Sequence, residues 1–196
     1  MKGGIPVTVK RTLDSSKVKE AARAIIMEEG FNTLTFKNLA KRLDIRSQSL
    51  YNYYHNLDDL LEQLGADFMA ELYRRLVDKL PGLSGKQALR VFAQTSHEFF
   101  DQQGPLVQLV YYLKTYANDT DFVKNTERVL KLLRQLVNLA PLETMRSEEY
   151  VDVLISSVFG YSVLEIMGLL KGSRSAREES FQRLINLQLR EVRELS

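Results

Sequence analysis

Two short amphipathic segments separated by only three residues constrain this chain more than any other feature. They occupy Thr35–Asn56, with the sequence TFKNLAKRLDIRSQSLYNYYHN. The first segment, Phe36–Leu43, places its apolar side chains three or four positions apart, as one face of a helix requires. The second, about Ser47–Tyr54, turns Leu50 and Tyr54 inward. Two short helices joined by a tight turn predict a helix-turn-helix motif.

The same stretch resembles the DNA-binding domain of the tetracycline-repressor (TetR) family. The resemblance is strong from Val18 to Leu64 and weaker beyond, and upstream AARAIIMEEGF resembles the family's first helix. Two positions depart from the family pattern. Asp44 stands at the turn position that usually holds glycine, and Asp tolerates the left-handed conformation better than most residues. Leu57 stands where the family often has a phosphate-binding lysine, so the resemblance does not carry over that contact. The matching positions are Thr35, Leu39, Ala40, Ile45, Leu50, Tyr51, Tyr53, Tyr54, Asn56, Asp58 and Asp59.

The outward side of the second segment is polar, which suits base edges and phosphates better than a packed core. We expect base-edge contacts from Ser47, Gln48, Ser49 and Asn52. Phosphate or flanking contacts are expected from Thr35, Lys37, Arg46, Tyr51 and Tyr53. Lys37 can also reach a base, and the family resemblance implies that Tyr51 both packs and contacts phosphate. The alternative for Lys37 and Arg46 is that they are ordinary solvated surface charges.

The charge distribution separates the two ends of the chain. The net charge is only +2, but residues 1–57 carry about +5 and residues 58–196 about −3. We therefore predict a basic DNA-binding domain at 1–57, the head, and a ligand-binding and dimerisation domain at 58–196, the body. The fold class is all-α with about nine helices: three in the head, a long fourth helix that leaves it, and five more in the body.

The composition argues against several function classes. There is no cysteine, only two histidines are present, and no catalytic or phosphate-loop motif occurs. We therefore expect no enzyme activity, no metal site and no cofactor. His97 is expected to be a packed, hydrogen-bonded core residue. The chain lacks both a run of 18 apolar residues and an apolar leader, so no membrane association is expected and the expected location is cytoplasmic.

The penultimate helix is apolar on nearly all sides. Its sequence VLISSVFGYSVLEIMGLL, within a helix expected from Glu148 to about Lys171, has more apolar surface than one chain can cover. Its pattern also resembles the WHG-type regulatory domain of the TetR family, which implies a four-helix dimer interface. We therefore predict a homodimer in which this helix and the last one meet their copies. The predicted interface residues are Val158, Gly160, Ser162, Ile166, Leu184, Gln188 and Val192.

Aromatic side chains recur along the body at helical spacing. Most helix-spaced aromatics are core residues, yet so many rings can also enclose an apolar cavity for a small hydrophobic or aromatic effector. The predicted lining residues are Phe92, Phe99, Tyr112, Tyr116, Phe122 and Phe159. The resulting hypothesis is a dimeric transcriptional regulator, a repressor that such an effector releases from a palindromic double-stranded DNA operator. Two alternatives stay open: a helical ligand carrier or enzyme with a structural three-helix head, and a protein–protein adaptor.

Overall fold

The computed structural model describes residues 13–112 and 119–193, and these residues form an all-α protein. The described residues contain no β-strand, and their only β-type pairing is an isolated bridge between Leu142 and Val192. The chain divides into two compact units, Met1–Leu57 and Asp58–Ser196. The predicted all-α fold class is confirmed. The eight α-helices of the described residues are α1 Ser15–Glu29, α2 Phe36–Leu43, α3 Leu57–Lys79, α4 Gly85–Gln103, α5 Gln108–Tyr112, α6 Asp121–Asn138, α7 Ser147–Ile166 and α8 Arg174–Gln188.

The head is built on one apolar face of α1, which lies against α2 and against the short helical turn Phe31–Thr33 between the two helices. Val18, Ala22, Ile25 and Ile26 of α1 are buried together with Leu39, Leu50 and Tyr54. The Tyr54 hydroxyl lies 2.7 Å from Ser15 Oγ, so the end of the motif is tied to the start of α1. The inward positions predicted for Leu50 and Tyr54 are therefore confirmed.

The turn of the motif depends on Asp44. Its φ of 54° and ψ of 47° place it in the left-handed region. It is the only residue other than glycine with a positive φ among the residues described. The amide N–H of Ile45 donates to Ala40 O at 3.0 Å, which closes α2 with a Schellman-type bond. The expectation that Asp44 accepts the conformation usually given to glycine is confirmed.

The second helix of the motif is shorter and tighter than the sequence predicted. It is a 3₁₀-helix at Ser47–Asn52, the recognition segment, and not an α-helix that continues to Tyr54. Serine and asparagine side chains compete for backbone hydrogen bonds, so they give an α-helix little support. Six residues are also few for an α-helix, whereas 3₁₀ geometry is common in such short connecting pieces. The segment holds its place because Leu50 is fully buried.

The body is a helical bundle in which α4 lies at the centre. This helix packs against α6 and α7, and α7 packs in turn on α8. From α3, Phe68 meets Phe99 of α4 with 4.7 Å between ring centroids. The core therefore joins α3, α4, α6 and α7, which also surround the cavity described below.

The long apolar helix α7 differs from its prediction in length and in burial. It ends at Ile166 and not near Lys171, because Gly168 adopts a left-handed φ of 69°. The amide N–H of Leu169 donates to Leu164 O at 3.0 Å, again a Schellman-type closure. One side of α7 is buried in the protomer, but Leu164 is 42% exposed.

Candidate DNA-binding face and ligand cavity

The recognition segment presents an exposed polar face on a buried anchor. Arg46, Ser47, Gln48, Tyr51 and Asn52 are exposed, and Ser49 is half-buried. In a 3₁₀-helix, side chains three positions apart lie above one another. Gln48 therefore shares a face with Tyr51, and Ser49 shares one with Asn52. An α-helix would in addition bring Gln48 close to Asn52, four positions further on.

The start of α2 flanks this face with one hydroxyl and one cation. Thr35 Oγ1 accepts a hydrogen bond from the Asn38 amide at 3.1 Å, so Thr35 caps α2. Its side chain is nevertheless exposed, and so is that of Lys37. A capping hydroxyl that accepts this bond still has its own hydrogen to donate. Thr35 can therefore cap α2 and donate to a phosphate in the same geometry.

The two tyrosines of the predicted contact set are placed differently. Tyr51 is 52% exposed, and its ring meets Phe36 edge-to-face with 5.2 Å between centroids. Packing and contact with a partner are therefore compatible for Tyr51. Tyr53 is half-buried, and its hydroxyl donates to Leu13 O at 2.7 Å. A phosphate could accept from Tyr53 only in place of that carbonyl, so Tyr53 ties the chain before α1 in this structure.

The body contains an apolar cavity of about 260 Å³. Two of the predicted rings, Phe92 and Phe159, line it. Exposed Ser156 and half-buried Thr126 lie toward its solvent side. The remaining walls are formed by Met69, Leu72, Ser96, Phe100, Val110, Val129, Leu130, Ile155 and Val158.

Three of the predicted lining residues lie elsewhere. Phe99 and Phe122 are buried in the core and do not line this cavity, because their helix positions turn them toward packed neighbours. Tyr112 ends α5 with its side chain 38% exposed. Tyr116 lies outside the described residues. Ser96 was not among the predicted lining residues. The available signal was that this serine interrupts an aromatic stripe, one turn from Phe92 and one turn from Phe100.

The predicted dimer residues divide into two groups. Val158 lines the cavity, Ser162 is buried beside His97, and Val192 is buried and paired with Leu142. These three are held inside the protomer because α7 turns them toward its own core and the chain end folds back. The half-buried group keeps partly accessible surface and comprises Gly160, Ile166, Leu184 and Gln188.

His97 of α4 does not line the cavity and points to a different side of the helix from Ser96. It is 4% exposed, and its ring stacks on Phe181 with 3.9 Å between centroids. Its Nδ1 lies 3.0 Å from Ser162 Oγ, so the predicted packed and hydrogen-bonded histidine is confirmed. Burial lowers the pKa of His97, and the neighbouring carboxylates oppose that effect without cancelling it. These carboxylates are Glu165, Glu178, Asp101 and Glu98.

Two features are absent from the described residues. No cluster of three or more histidine, cysteine or carboxylate side chains is arranged to hold a metal ion there. Within the same residues, no helix combines the length and the apolar character needed to cross a membrane.

Comparison with known proteins points to one family. Residues 19–64 match the family model described as bacterial regulatory proteins, tetR family. The chain is also similar to an uncharacterized HTH-type transcriptional regulator, YobS, of Bacillus subtilis (strain 168), with 23% identity over 125 residues. That alignment covers 64% of each chain, so the chain spans slightly less than two thirds of this relative.

Solved structures share the fold over nearly the whole chain. One is a protein with unknown function from Rhodococcus sp. RHA1, with a TM-score of 0.79 and 14% identity over 95% of this chain and 100% of that one. Another is a TetR variant from Acinetobacter baumannii AYE in complex with minocycline, with a TM-score of 0.69 and 18% identity over 91% and 96%. At these identities the likeness establishes the fold alone.

The motif, its exposed polar face and the helical body define a helix-turn-helix transcriptional regulator. The match to the tetR family model covers residues 19–64 of the head, and the similarity to the regulator YobS extends over 125 residues.

Proposed function

We propose that this regulator is a repressor that binds a palindromic operator as a homodimer and is released by a small hydrophobic effector. The observation that carries the DNA-binding part is the exposed polar recognition segment, which is held from below by fully buried Leu50. A rigidly seated segment with amide and hydroxyl groups outward suits direct contact with base edges in the major groove.

Gln48 is the proposed base reader, because its exposed amide can pair with adenine through two hydrogen bonds. Lys37 is proposed to contact phosphate, where it would add affinity without sequence preference. Thr35, Arg46, Ser47, Ser49, Tyr51 and Asn52 complete the proposed surface. Tyr53 belongs to it only if its bond to Leu13 opens.

The experiment first selects an operator from a random duplex library with the full-length protein. Gln48→Ala should then lose about 1–3 kcal/mol of discrimination between operator and random DNA. Lys37→Ala should weaken binding to both and reduce the salt slope by about one unit. Gln135→Ala, an exposed substitution on α6, is the matched control. If both head variants bind operator like the control, the proposed reading face is wrong.

The dimer is proposed to form through accessible apolar side chains on α7 and α8. Gly160 and Leu164 of α7 and Met167 at its C-terminal cap recur at helical spacing, and the last two are exposed. On α8, Leu184 and exposed Leu187 lie three positions apart. Contiguous exposed apolar surface of this kind marks interfaces. A two-fold dimer of this kind would place its heads about 34–36 Å apart, one turn of DNA. The WHG-type character of this region belongs to the same proposal.

The cavity is proposed as the effector site. Its wall includes Met69 and Leu72 of α3, the helix that begins at Leu57, where the head ends. An occupant that favours one position of α3 would bias the heads toward a spacing that does not fit the operator. We expect a coupling of about 1–3 kcal/mol between effector and operator, measured as operator affinity with and without hits from a thermal-shift screen.

A ligand carrier with a structural head is the alternative that the cavity also suits. The two functions differ in how the protein treats DNA. Binding to operator-free duplex should fall steeply with salt if the head contacts phosphates. A carrier would bind the same ligands and show no salt-dependent DNA binding, and that result would replace the repressor proposal.

A further inference from the structure

The hydroxyl of Ser96 is buried without a hydrogen-bond partner. Ser96 is 2% exposed in the middle of α4, and across the residues that the structure describes its Oγ is the one buried side-chain oxygen or nitrogen that no protein group satisfies. Leaving such a group unpaired costs about 1–3 kcal/mol. A molecule that enters from outside the protomer core can supply the missing hydrogen bond.

Ser96 is one of the residues that line the cavity. Phe92 lies one helical turn before it and Phe100 one turn after it, so all three side chains share one side of α4. From α7, Phe159 meets Phe100 edge-to-face with 5.8 Å between centroids. Ser96 therefore supplies a hydrogen-bonding group within an aromatic wall.

The other polar groups of the wall are less suited to this role. Thr126 Oγ1 donates its only hydrogen to Phe122 O at 2.8 Å, so Thr126 can only accept. Ser156 is exposed at the solvent side. Among the described residues, no charged side chain lines the cavity. A charged group inside would lose its hydration without gaining a counterion, which is strongly unfavourable.

From this arrangement we propose that Ser96 is the hydrogen-bonding anchor for a neutral, mainly aromatic or aliphatic effector that carries one hydroxyl or carbonyl group. The proposal rests on the cavity being the effector site. The ligand is small, because a volume of about 260 Å³ lies below the usual range for drug-sized ligands, about 300–1,000 Å³. Ser96 can serve either group, since a hydroxyl both donates and accepts.

The test uses two probes of nearly equal shape, para-propylphenol and propylbenzene, which differ by one hydroxyl. Their binding to the full-length protein is measured by calorimetry without DNA. The wild type should prefer the phenol by about threefold to tenfold, as one neutral hydrogen bond provides. Ser96→Ala should abolish this preference while still binding propylbenzene. The para-propylbenzoate anion should bind more weakly than the phenol to both proteins.

Ser162→Ala is the matched control, because Ser162 is an equally buried serine whose hydroxyl donates to Val158 O at 2.9 Å and lies outside the cavity lining. It should keep the preference for the phenol. Without ligand, Ser96→Ala should melt at or above the wild-type temperature, since it removes an unpaired group. Ser162→Ala should melt below it, since it breaks satisfied bonds.

The outcomes separate this inference from the proposed function. Two results would contradict the role of Ser96 as an anchor: equal binding of para-propylphenol and propylbenzene to the wild type, or a preference for para-propylphenol that persists in Ser96→Ala. Either result would mean that an internal water pairs with the Ser96 hydroxyl. Binding of neither probe would contradict the anchor role as well. A Ser96-dependent preference for the phenol with unchanged operator affinity would support the anchor and contradict release by an effector.

Discussion

Ser162 Oγ lies 3.0 Å from His97 Nδ1 and donates its own hydrogen to Val158 O. A hydroxyl has one hydrogen, so Ser162 can only accept from the imidazole. Nδ1 therefore carries a hydrogen. The other ring nitrogen lies 3.5 Å from Glu165 Oε2, longer than an ordinary hydrogen bond. The carboxylate of Glu178 lies 3.8 Å from the same nitrogen. Both carboxylates favour a charged ring, whereas burial opposes the charge and lowers the pKa of His97.

The first prediction concerns pH. Because burial lowers the pKa of His97 below its ordinary 6.5, the unfolded chain takes up a proton there before the folded chain does. The free energy of unfolding should therefore fall as the pH drops below about 6.5, until the folded-state pKa is passed. Between about pH 7.5 and pH 5.5, the free energy of unfolding measured in urea should therefore decrease less for His97→Gln than for the wild type.

The matched control for that measurement is His55→Gln, which changes the other histidine at an exposed position. It should lose as much stability on acidification as the wild type. If His97→Gln loses as much stability on acidification as this control, His97 does not contribute to the pH dependence of the free energy of unfolding.

The second prediction concerns the turn at Asp44. A β-branched residue is strained in the left-handed region, at a cost of about 1–2 kcal/mol. Asp44→Val should therefore lower the free energy of unfolding by about that amount in urea. Asp44→Asn, which accepts the same conformation, is the control and should stay close to the wild type. Equal stability of the two variants would mean that the turn relaxes away from φ 54° at no cost.

The third prediction separates the two roles of Thr35. Thr35→Ala removes the cap from the Asn38 amide and should lower the free energy of unfolding by about 0.5–2 kcal/mol. Thr35→Ser keeps a hydroxyl and should restore both stability and operator binding. A Thr35→Ala protein of wild-type stability would contradict the cap, whatever its affinity for DNA.

The fourth prediction concerns assembly at Gly160. A Cβ added there would meet no heavy atom within 4 Å, so the described protomer has room for a side chain. Gly160→Lys should leave the protomer folded but split the proposed dimer, because it places a charge in the apolar contact. Sedimentation at micromolar concentration measures the result, with Gln135→Lys on α6 as the control. A wild-type chain that sediments as a monomer, or a Gly160→Lys dimer as stable as the control, would contradict this interface.

The motif in the head could be read from the sequence because its determinants are local. The spacing of apolar residues in Phe36–Leu43, the three-residue gap and the left-handed tolerance of Asp44 are properties of consecutive residues. The 3₁₀ geometry of Ser47–Asn52 was not predicted, since α and 3₁₀ segments of six residues differ little in their patterns. In the 3₁₀-helix Gln48 is aligned with Tyr51, whereas in an α-helix it would lie close to both Tyr51 and Asn52.

Apolar spacing identified the body helices but could not assign their faces to core, cavity or partner. Phe92 and Phe99 look alike in the stripe of α4, yet Phe92 lines the cavity and Phe99 is packed against Phe68. Val158 and Gly160 were assigned to one interface, but the first faces the cavity.

The sequence by itself determined the all-α class, the helix-turn-helix and the polar face that it exposes. Local spacing and turn chemistry suffice for these features. Only the tertiary structure decided that Ser96 lies unpaired in an apolar cavity and that Ser162 lies bonded beside His97. The physical reason is that a helix position sets only the direction of a side chain. Whether that direction ends in a packed neighbour or in a gap depends on how α3, α4, α6 and α7 meet.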